Sequence, residues 1–505
     1  MNRQIQRFAG LLTAALMLTG TALPAAAGTV DEAESLEIRT YMLQDYDSEA
    51  HVTYGSGHYQ EILLNGAAAE RLPALQAALK DFDREYASAQ TSSFSEACAE
   101  VRKSLADYDR EYEVSLETAI YPRRADDQVF SFITYYSGYT GGAHGYYAWK
   151  GYNYDPATGD VLTLEDVVTD EKALKDVIWG LLLEKYAGGS IGTMGATIED
   201  YGSGEGEFPL NWIAGADGLT FIFNPYELAS YAEGAQFVTV GYEQYADLFT
   251  GRIGPLTGPG CCRLLGWVPE DVDLDGDGIP ESVSISENRP DMSYVESFTL
   301  HVGEGNCEIP ISGFSGTPYL LRTSDGRILL YLEVLSENDY RQTAAAELTG
   351  GVPRYLGMLN AAMPVSWEDL VSVQLFPLDP ECFLMQQRQN LLSTYSGEKL
   401  FTTAGGSWGE PLTEEWQVPY GPTLITARSM SARQVDPISG DVSDTVIKIP
   451  SGEELTVTAT DGSSWVDFAC RDGSTVRICV ETGGYPHMID GTDENACFET
   501  LYYAG

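Results

Sequence analysis

Residues Asp271 to Glu281 read DVDLDGDGIPE. Counted from Asp273, carboxylates fall at positions one, three, five and nine, which are Asp273, Asp275, Asp277 and Glu281, and the Ile279 carbonyl stands at position seven. Hard oxygen donors at that spacing wrap one calcium ion, and Gly278 supplies the sharp turn that wrapping requires. An EF-hand needs a bidentate glutamate at position twelve and an exiting helix, but position twelve is Ser284, and Ser282 to Ser286 alternates as a strand. The expectation is a structural Ca2+ loop running into a strand, since four clustered carboxylates repel each other without a cation. The alternative is a solvated acidic turn.

Patterns for covalent chemistry are scarce. Gly188 to Gly192, GGSIG, fits G-x-S-x-G, but a helical pattern precedes it where a nucleophile elbow needs a strand, so it is assigned to a loop. There is no HExxH and no Walker A sequence. The five histidines, at 51, 58, 144, 301 and 487, share no spacing. A glycosidase-type carboxylate pair stays open, because its members meet only in space.

The elements that would position such groups fall into three regions. From Ala67 to Tyr112 the pattern predicts two helices, one with Leu75, Leu79, Phe82 and Tyr86 on a stripe, the other with Phe94, Cys98 and Val101. VFSFITYY at Val129 to Tyr136 and YYAWKGYNY at Tyr146 to Tyr154 predict a hairpin across a glycine-rich turn. A further helix is predicted with Thr169 as cap and Leu174, Val177, Ile178, Leu181 and Leu182 inward, followed by strands at Leu219 to Phe223 and Phe237 to Val240. The fold class is therefore multi-domain: an α+β domain at 28–252, expected to fold without the rest, a linker at 253–265, a β-rich domain at 266–440 and a small β domain at 441–505.

The first residues set the compartment. Arg3 and Arg7, an apolar run from Phe8 to Leu23 and the Ala25-Ala26-Ala27 triplet predict a secretory signal at 1–27, removed after Ala27. Its removal leaves 27 basic and 75 acidic side chains, a formal charge of −48. Such a chain repels nucleic acid and attracts metal cations and basic proteins; the plain reading of the charge is solubility. Eight cysteines permit disulfides in an exported protein, but they allow 105 pairings and the sequence does not choose among them.

Two stretches resemble known families. The string YTGGAHGYYAWKGYNYDPATGDVLTLEDVV at Tyr139 to Val168, with GLTFIFNPYELASYAEG at Gly218 to Gly234, resembles the extracellular domain of RsiV-type anti-sigma factors and the domain ahead of the catalytic part of PdaC-type peptidoglycan deacetylases, over residues 35–250. The RsiV members bind lysozyme through this domain, so the resemblance implies a binding module. Such a protein also has a cytoplasmic segment and a membrane span before the domain, where this chain has a signal pattern. Ile447 to Val480, with Ile449, Trp465 and Gly473 at its turns and core, resembles bacterial SH3-like domains, which implies a small barrel and wall binding. The Asp-rich loop is similar to the calcium loops that precede strands in β-propeller and integrin-like repeats.

Beside the resemblance, Gly141 and Gly142 suit a tight turn from which His144 turns back to a backbone carbonyl. Pro225, Tyr226 and Glu227 either fix a loop against the sheet or face a partner. These four residues are the partner-binding candidates. The expected function is a secreted, non-catalytic, cell-surface binding protein of a bacterium, recognising a cell-envelope component or a cationic protein such as lysozyme, with no nucleic acid and no membrane insertion after signal cleavage. The alternative is a cell-wall-modifying enzyme whose active site lies in the middle β region.

Overall fold

The computed structural model describes residues 33–108, 112–192, 197–204, 208–266, 268–290, 294–368, 371–436 and 439–504. The expected signal segment lies outside the described residues. The chain is mostly β, in several sheets, and divides into two compact units; the first holds Val30–Arg388 and Ser396–Glu414.

Strands β1 (Ser35–Asp47) and β2 (Val52–Asn65) form a long antiparallel pair, followed by the one-turn helix α1 (Ala67–Arg71) and by α2 (Pro73–Tyr108). Two helices were expected from the two stripes; they lie on one helix of 36 residues. No glycine or proline follows Pro73 in it, so nothing breaks the backbone between Leu79 and Phe94, both buried. Strands β3 (Val114–Ala125), β4 (Phe130–Tyr139) and β5 (Tyr146–Tyr154) continue the sheet as antiparallel neighbours. The β2–β3 junction is parallel and short, Gly55–His58 against Val114–Glu117. Beyond it β2 leaves β3, and side chains take over its amides: Gln60 donates to Thr118 Oγ1 at 2.9 Å, Ile62 to Asp83 Oδ1 at 3.0 Å and Leu64 to Gln76 Oε1 at 2.8 Å.

After α3 (Leu164–Val167) comes α4 (Glu171–Lys185), whose N-cap is Asp170, accepting from the Ala173 amide at 3.0 Å, and not Thr169 as expected. Thr169 instead bonds the Asp247 and Leu248 carbonyls. Leu174, Ile178 and Leu182 are fully buried in a cluster with Leu219, Phe221 and Val240 of a three-stranded sheet, β6 (Trp212–Ala214), β7 (Gly218–Phe223) and β8 (Gln236–Gly241). Asparagines join that sheet to β5. Asn211 and Asn224 accept from the Gly151 and Trp149 amides at 2.9 and 2.7 Å, and both donate to the Trp149 carbonyl. The approach is close enough that a Cβ at Gly151 would lie 2.1 Å from the Trp212 carbonyl oxygen.

The expected linker contains β9 (Gly260–Arg263), which pairs with residues 319–322 of β14 below. The proline and glycine around it mark turns into a strand. One sheet then comprises β10 (Glu270–Val272), β11 (Glu281–Asn288), β12 (Ser297–Val302) and β13 (Gly305–Ile309); β14 (Ser315–Arg322), β15 (Ile328–Leu335), β16 (Arg341–Glu347) and β17 (Arg354–Leu359) join β9 in a second. Phe298 and Leu300 of one meet Leu330 and Ala344 of the other in a common core. Strands β18 (Val365–Glu368) and β19 (Val371–Pro377) then return to the first sheet, β19 lying along β1 from Ser35↔Pro377 to Tyr41↔Val371. The sheet order is β18-β19-β1-β2-β3-β4-β5. The expected boundary at 252 therefore cuts a seven-stranded sheet off from its own edge.

Strands β20 (Phe383–Gln389), β21 (Tyr395–Thr402) and β22 (Glu410–Pro411) come next along the chain, and the second unit takes Gln389–Tyr395 and Glu415–Tyr503. Here β23 (Trp416–Gln417), β24 (Thr423–Ile425), β25 (Met430–Val435), β26 (Val442–Ile449), β27 (Glu454–Thr460), β28 (Trp465–Cys470) and β29 (Thr475–Cys479) run in the order β23-β27-β28-β29-β25-β26, with β24 also on β27. Among the described residues this sheet is not closed into a barrel. The expected start at 441 also splits the β25–β26 pair, because the short strands before it carry little pattern of their own. No helix among the described residues is long and apolar enough to cross a membrane.

Candidate functional site

The Asn224 clamp fixes the turn that follows β7. Asn224 N donates to Glu227 Oε2 at 2.8 Å, Glu227 N to the Asn224 carbonyl at 3.0 Å and Tyr226 N to the Ala229 carbonyl at 3.1 Å. Burial pushes the Glu227 carboxyl above its ordinary range, opposed by the Asn224 hydrogen bonds. Tyr226 is held at φ 72°, a left-handed conformation that a bulky side chain rarely adopts, and it is 55% exposed. Glu227 therefore shapes the turn with Asn224, Pro225 lies between Asn224 and Tyr226, and Tyr226 is what the turn presents.

The β4–β5 connection supplies the other half. Gly141 and Gly142 both take positive φ, and His144 Nδ1 donates to the Gly145 carbonyl at 2.7 Å. On the other side of the ring, Nε2 lies 3.4 Å from the Tyr226 hydroxyl. The imidazole stacks on Tyr231 at 4.3 Å between centroids, and Tyr226 lies 5.6 Å from the same ring. Tyr231 is anchored by its hydroxyl to the Gly145 carbonyl at 2.9 Å. Tyr147 follows Tyr231 at 5.8 Å, Tyr135 follows Tyr147 at 6.0 Å, and buried Trp149 follows at 4.5 Å. A surface group of His144, Tyr226 and Tyr231 is thus stacked down to the core. Sequence reasoning named His144 and Tyr226 separately and missed Tyr231, whose signal is its place five residues beyond Tyr226, across the same turn.

The Asp-rich segment is the connection between β10 and β11, closed by Val272↔Glu281, and a strand follows it as expected. Asp273 accepts from Gly276 N at 2.7 Å and Gly278 N at 3.0 Å, and Glu281 from Leu274 N at 2.8 Å. Oxygens of Asp273, Asp275 and Glu281 lie within 4.8 Å of one another, the one such group among the described residues. Asp277 is outside it, its Oδ1 taken by the Ile279 amide at 2.8 Å, and the Ile279 side chain faces solvent. Burial raises the Glu281 carboxyl above its ordinary range; the Leu274 amide opposes this, and Asp275, Asp273 and Asp277 add to it. Donor chemistry and spacing fit a hard divalent cation. The loop leans on the β7–β8 region: a Cβ at Gly278 would lie 2.9 Å from Glu243 Cβ, and Asp217 accepts from both the Asp273 amide at 3.2 Å and Arg322 Nη2 at 2.9 Å.

Ser190 of the G-x-S-x-G string follows a helix, and its amide donates to Glu233 Oε1 at 2.6 Å while its hydroxyl bonds the same carboxylate. A serine held by a carboxylate in a loop lacks the elbow geometry of a nucleophile.

Residues 165–243, from α3 through β8, match the family described as protein of unknown function DUF3298. They are a DUF3298 domain. Tyr226 and Tyr231 lie inside the DUF3298 domain, and His144 is contributed from outside it. The chain is also similar to two solved structures. A DUF3298 family member from Bacteroides fragilis is 18% identical, with 42% of this chain and 93% of that one covered at a TM-score of 0.34. A DUF3298 family protein from Pseudomonas aeruginosa PAO1 is 16% identical, with 43% and 96% covered at a TM-score of 0.29. No curated protein matches the sequence.

Proposed function

We propose that this chain is an extracellular, non-catalytic binding protein, and that its DUF3298 domain together with the β4–β5 turn recognises a cationic protein of the lysozyme kind. The observation that carries the reading is the convergence of His144, Tyr226 and Tyr231 at the surface, with Tyr226 in a strained conformation. Left-handed backbone at such a residue costs about 1–2 kcal/mol, and it persists here because the Asn224 and Glu227 hydrogen bonds hold the turn. Rigid aromatic side chains with polar tips are the usual anchors of protein interfaces. The formal charge of −46 speeds encounter with a basic partner and contributes little to its specificity. The RsiV-like strings and the signal pattern support the same reading. Calcium at Asp273, Asp275 and Glu281 is read as structural.

Titration of lysozyme against the full chain, with cytochrome c as an equally basic control, tests this. Lysozyme is expected to bind more tightly, and Tyr226→Ala to weaken it by about 2 kcal/mol, roughly thirtyfold. Equal affinity for both proteins, or a Tyr226→Ala variant that binds like wild type, would remove the proposal.

A further inference from the structure

We propose that Asp83 is a proton-dependent latch that holds helix α2 on strand β2. Where β2 parts from β3, its Ile62 amide finds no strand partner and donates to Asp83 Oδ1 at 3.0 Å. The residue is 5% exposed, and its Oδ2 is buried with no hydrogen-bond partner among the described residues. Gln90 Oε1, seven residues along on the same side of the helix, is also buried without a hydrogen-bond partner among the described residues, and the Tyr86 hydroxyl between them faces Thr118 of β3 and Thr134 of β4. The seam is thus short of hydrogen bonds, and a charge in it has little to meet.

The charged and titratable groups facing Asp83 are Arg39 from β1, Glu61 and Tyr59 from β2 and Tyr154 from β5. Arg39 is committed to Glu37. Glu61 is a like charge, and the tyrosines are neutral near pH 7. A neutral carboxyl with one oxygen on an amide is tolerable here, whereas an ionised one leaves an unsolvated oxygen beside Glu61. Burial, above all, pushes the Asp83 carboxyl up to about 8, with the Ile62 amide opposing, Glu61 adding and Arg39 opposing.

The sign of the effect follows from proton counting. With the helix in place the carboxyl keeps its proton up to about pH 8. With the helix lifted it returns to its ordinary value near 3.9. Between those values the lifted state binds fewer protons, so the opening equilibrium grows about tenfold per pH unit and levels off above the upper value. The latch is tightest in acid.

Hydrogen exchange of the full chain, corrected for intrinsic rates, reads this at the Ile62 and Leu64 amides and at α2 residues 76–90. From pH 5 to pH 7 the opening constant of these amides is expected to rise about a hundredfold in wild type and to stay flat in Asp83→Asn. A flat wild-type profile would overturn the proposal, and so would a slope that survives in Asp83→Asn. Glu398, a second buried acid raised to about 7, lies on β21, so its effect is read at β21 amides and not at Ile62. Should Asp83→Asn not fold, Glu61→Gln serves: removing the like charge moves the upper end of the sloping interval to lower pH, and an unmoved interval counts against the latch.

Discussion

Calcium addition should stabilise the first unit, and more at pH 7.5 than at pH 5. Three carboxylate oxygens within 4.8 Å of one another carry up to three negative charges. Glu281 shows the consequence, its carboxyl being raised first by burial and further by its three aspartate neighbours. A raised acid means that the folded chain holds a proton the unfolded chain has released. Without metal, stability therefore falls as pH climbs from the ordinary carboxylate value to the raised one. A divalent cation reverses the repulsion and displaces that proton, which removes the slope and makes binding weaker in acid. At a free concentration 100 times the dissociation constant the gain is about 2.7 kcal/mol, if only the folded form binds. Calorimetry in chelator and in calcium at the two pH values measures it. Asp275→Ala should abolish the increment, since it removes one of the three converging oxygens. A melting transition indifferent to calcium in wild type, or an equal increment in Asp275→Ala, would refute the reasoning.

A fragment of residues 28–252 should be protease-sensitive and lose cooperative melting by circular dichroism, because it lacks the β19 partner of β1 and leaves Arg123 without Glu270; breaking such a buried pair costs about 3–5 kcal/mol. Arg124→Met should lower the unfolding free energy in urea by about 3–5 kcal/mol, as it strands Asp126 and the Gly215 and Gly254 carbonyls that the fully buried guanidinium joins. Tyr226→Gly should leave unfolding free energy within about 0.5 kcal/mol of wild type while lysozyme binding falls, since glycine takes the same φ without strain. Asp217→Asn and Asp275→Ala, combined in a double-mutant cycle with calcium present, should be non-additive by about 0.5–3 kcal/mol, because Asp217 fixes the first amide of the metal loop.

What the sequence made legible is local. Helix α4 announced itself through Leu174, Ile178 and Leu182, and the strand after Glu281 through its alternation, and both are where the pattern places them. The error at α2 has the same source: a stripe that fades from Tyr86 to Phe94 looks like an end, whereas the interior of the helix contains no residue able to stop it. Long-range pairing was not legible. Val371–Pro377 reads as a strand, yet nothing in VSVQLFP says that its partner lies more than 300 residues earlier at Ser35–Tyr41. Phe376 is buried against Tyr319 and pairs with Leu36, so the N-terminal sheet and the middle region share one core across a boundary that composition places at 252.

The candidate site repeats that lesson at the scale of side chains. His144 and Tyr226 are 82 residues apart, and each alone reads as a bond-maker in a turn. Their meeting depends on Asn224, which occupies both backbone groups of Trp149 on β5 and so places the turn after β7 beside the turn before β5. Asn224 is a common turn residue, with no pattern to mark it as the hinge of a site. The acidic loop was legible in its spacing because its ligands are neighbours in sequence, but its setting was not: Asp217, Glu243 and Arg322 come from three other segments. That setting bears on function. Arg322 reaches both Asp217 and the Asp273 carbonyl, so the first residue of the loop is tied to the turn between β6 and β7 of the DUF3298 domain. A cation drawn into the loop would therefore act on the domain that carries Tyr226 and Tyr231 through the Asp217 carboxylate, which bonds both the Asp273 amide and Arg322, and not through the field of the ion alone.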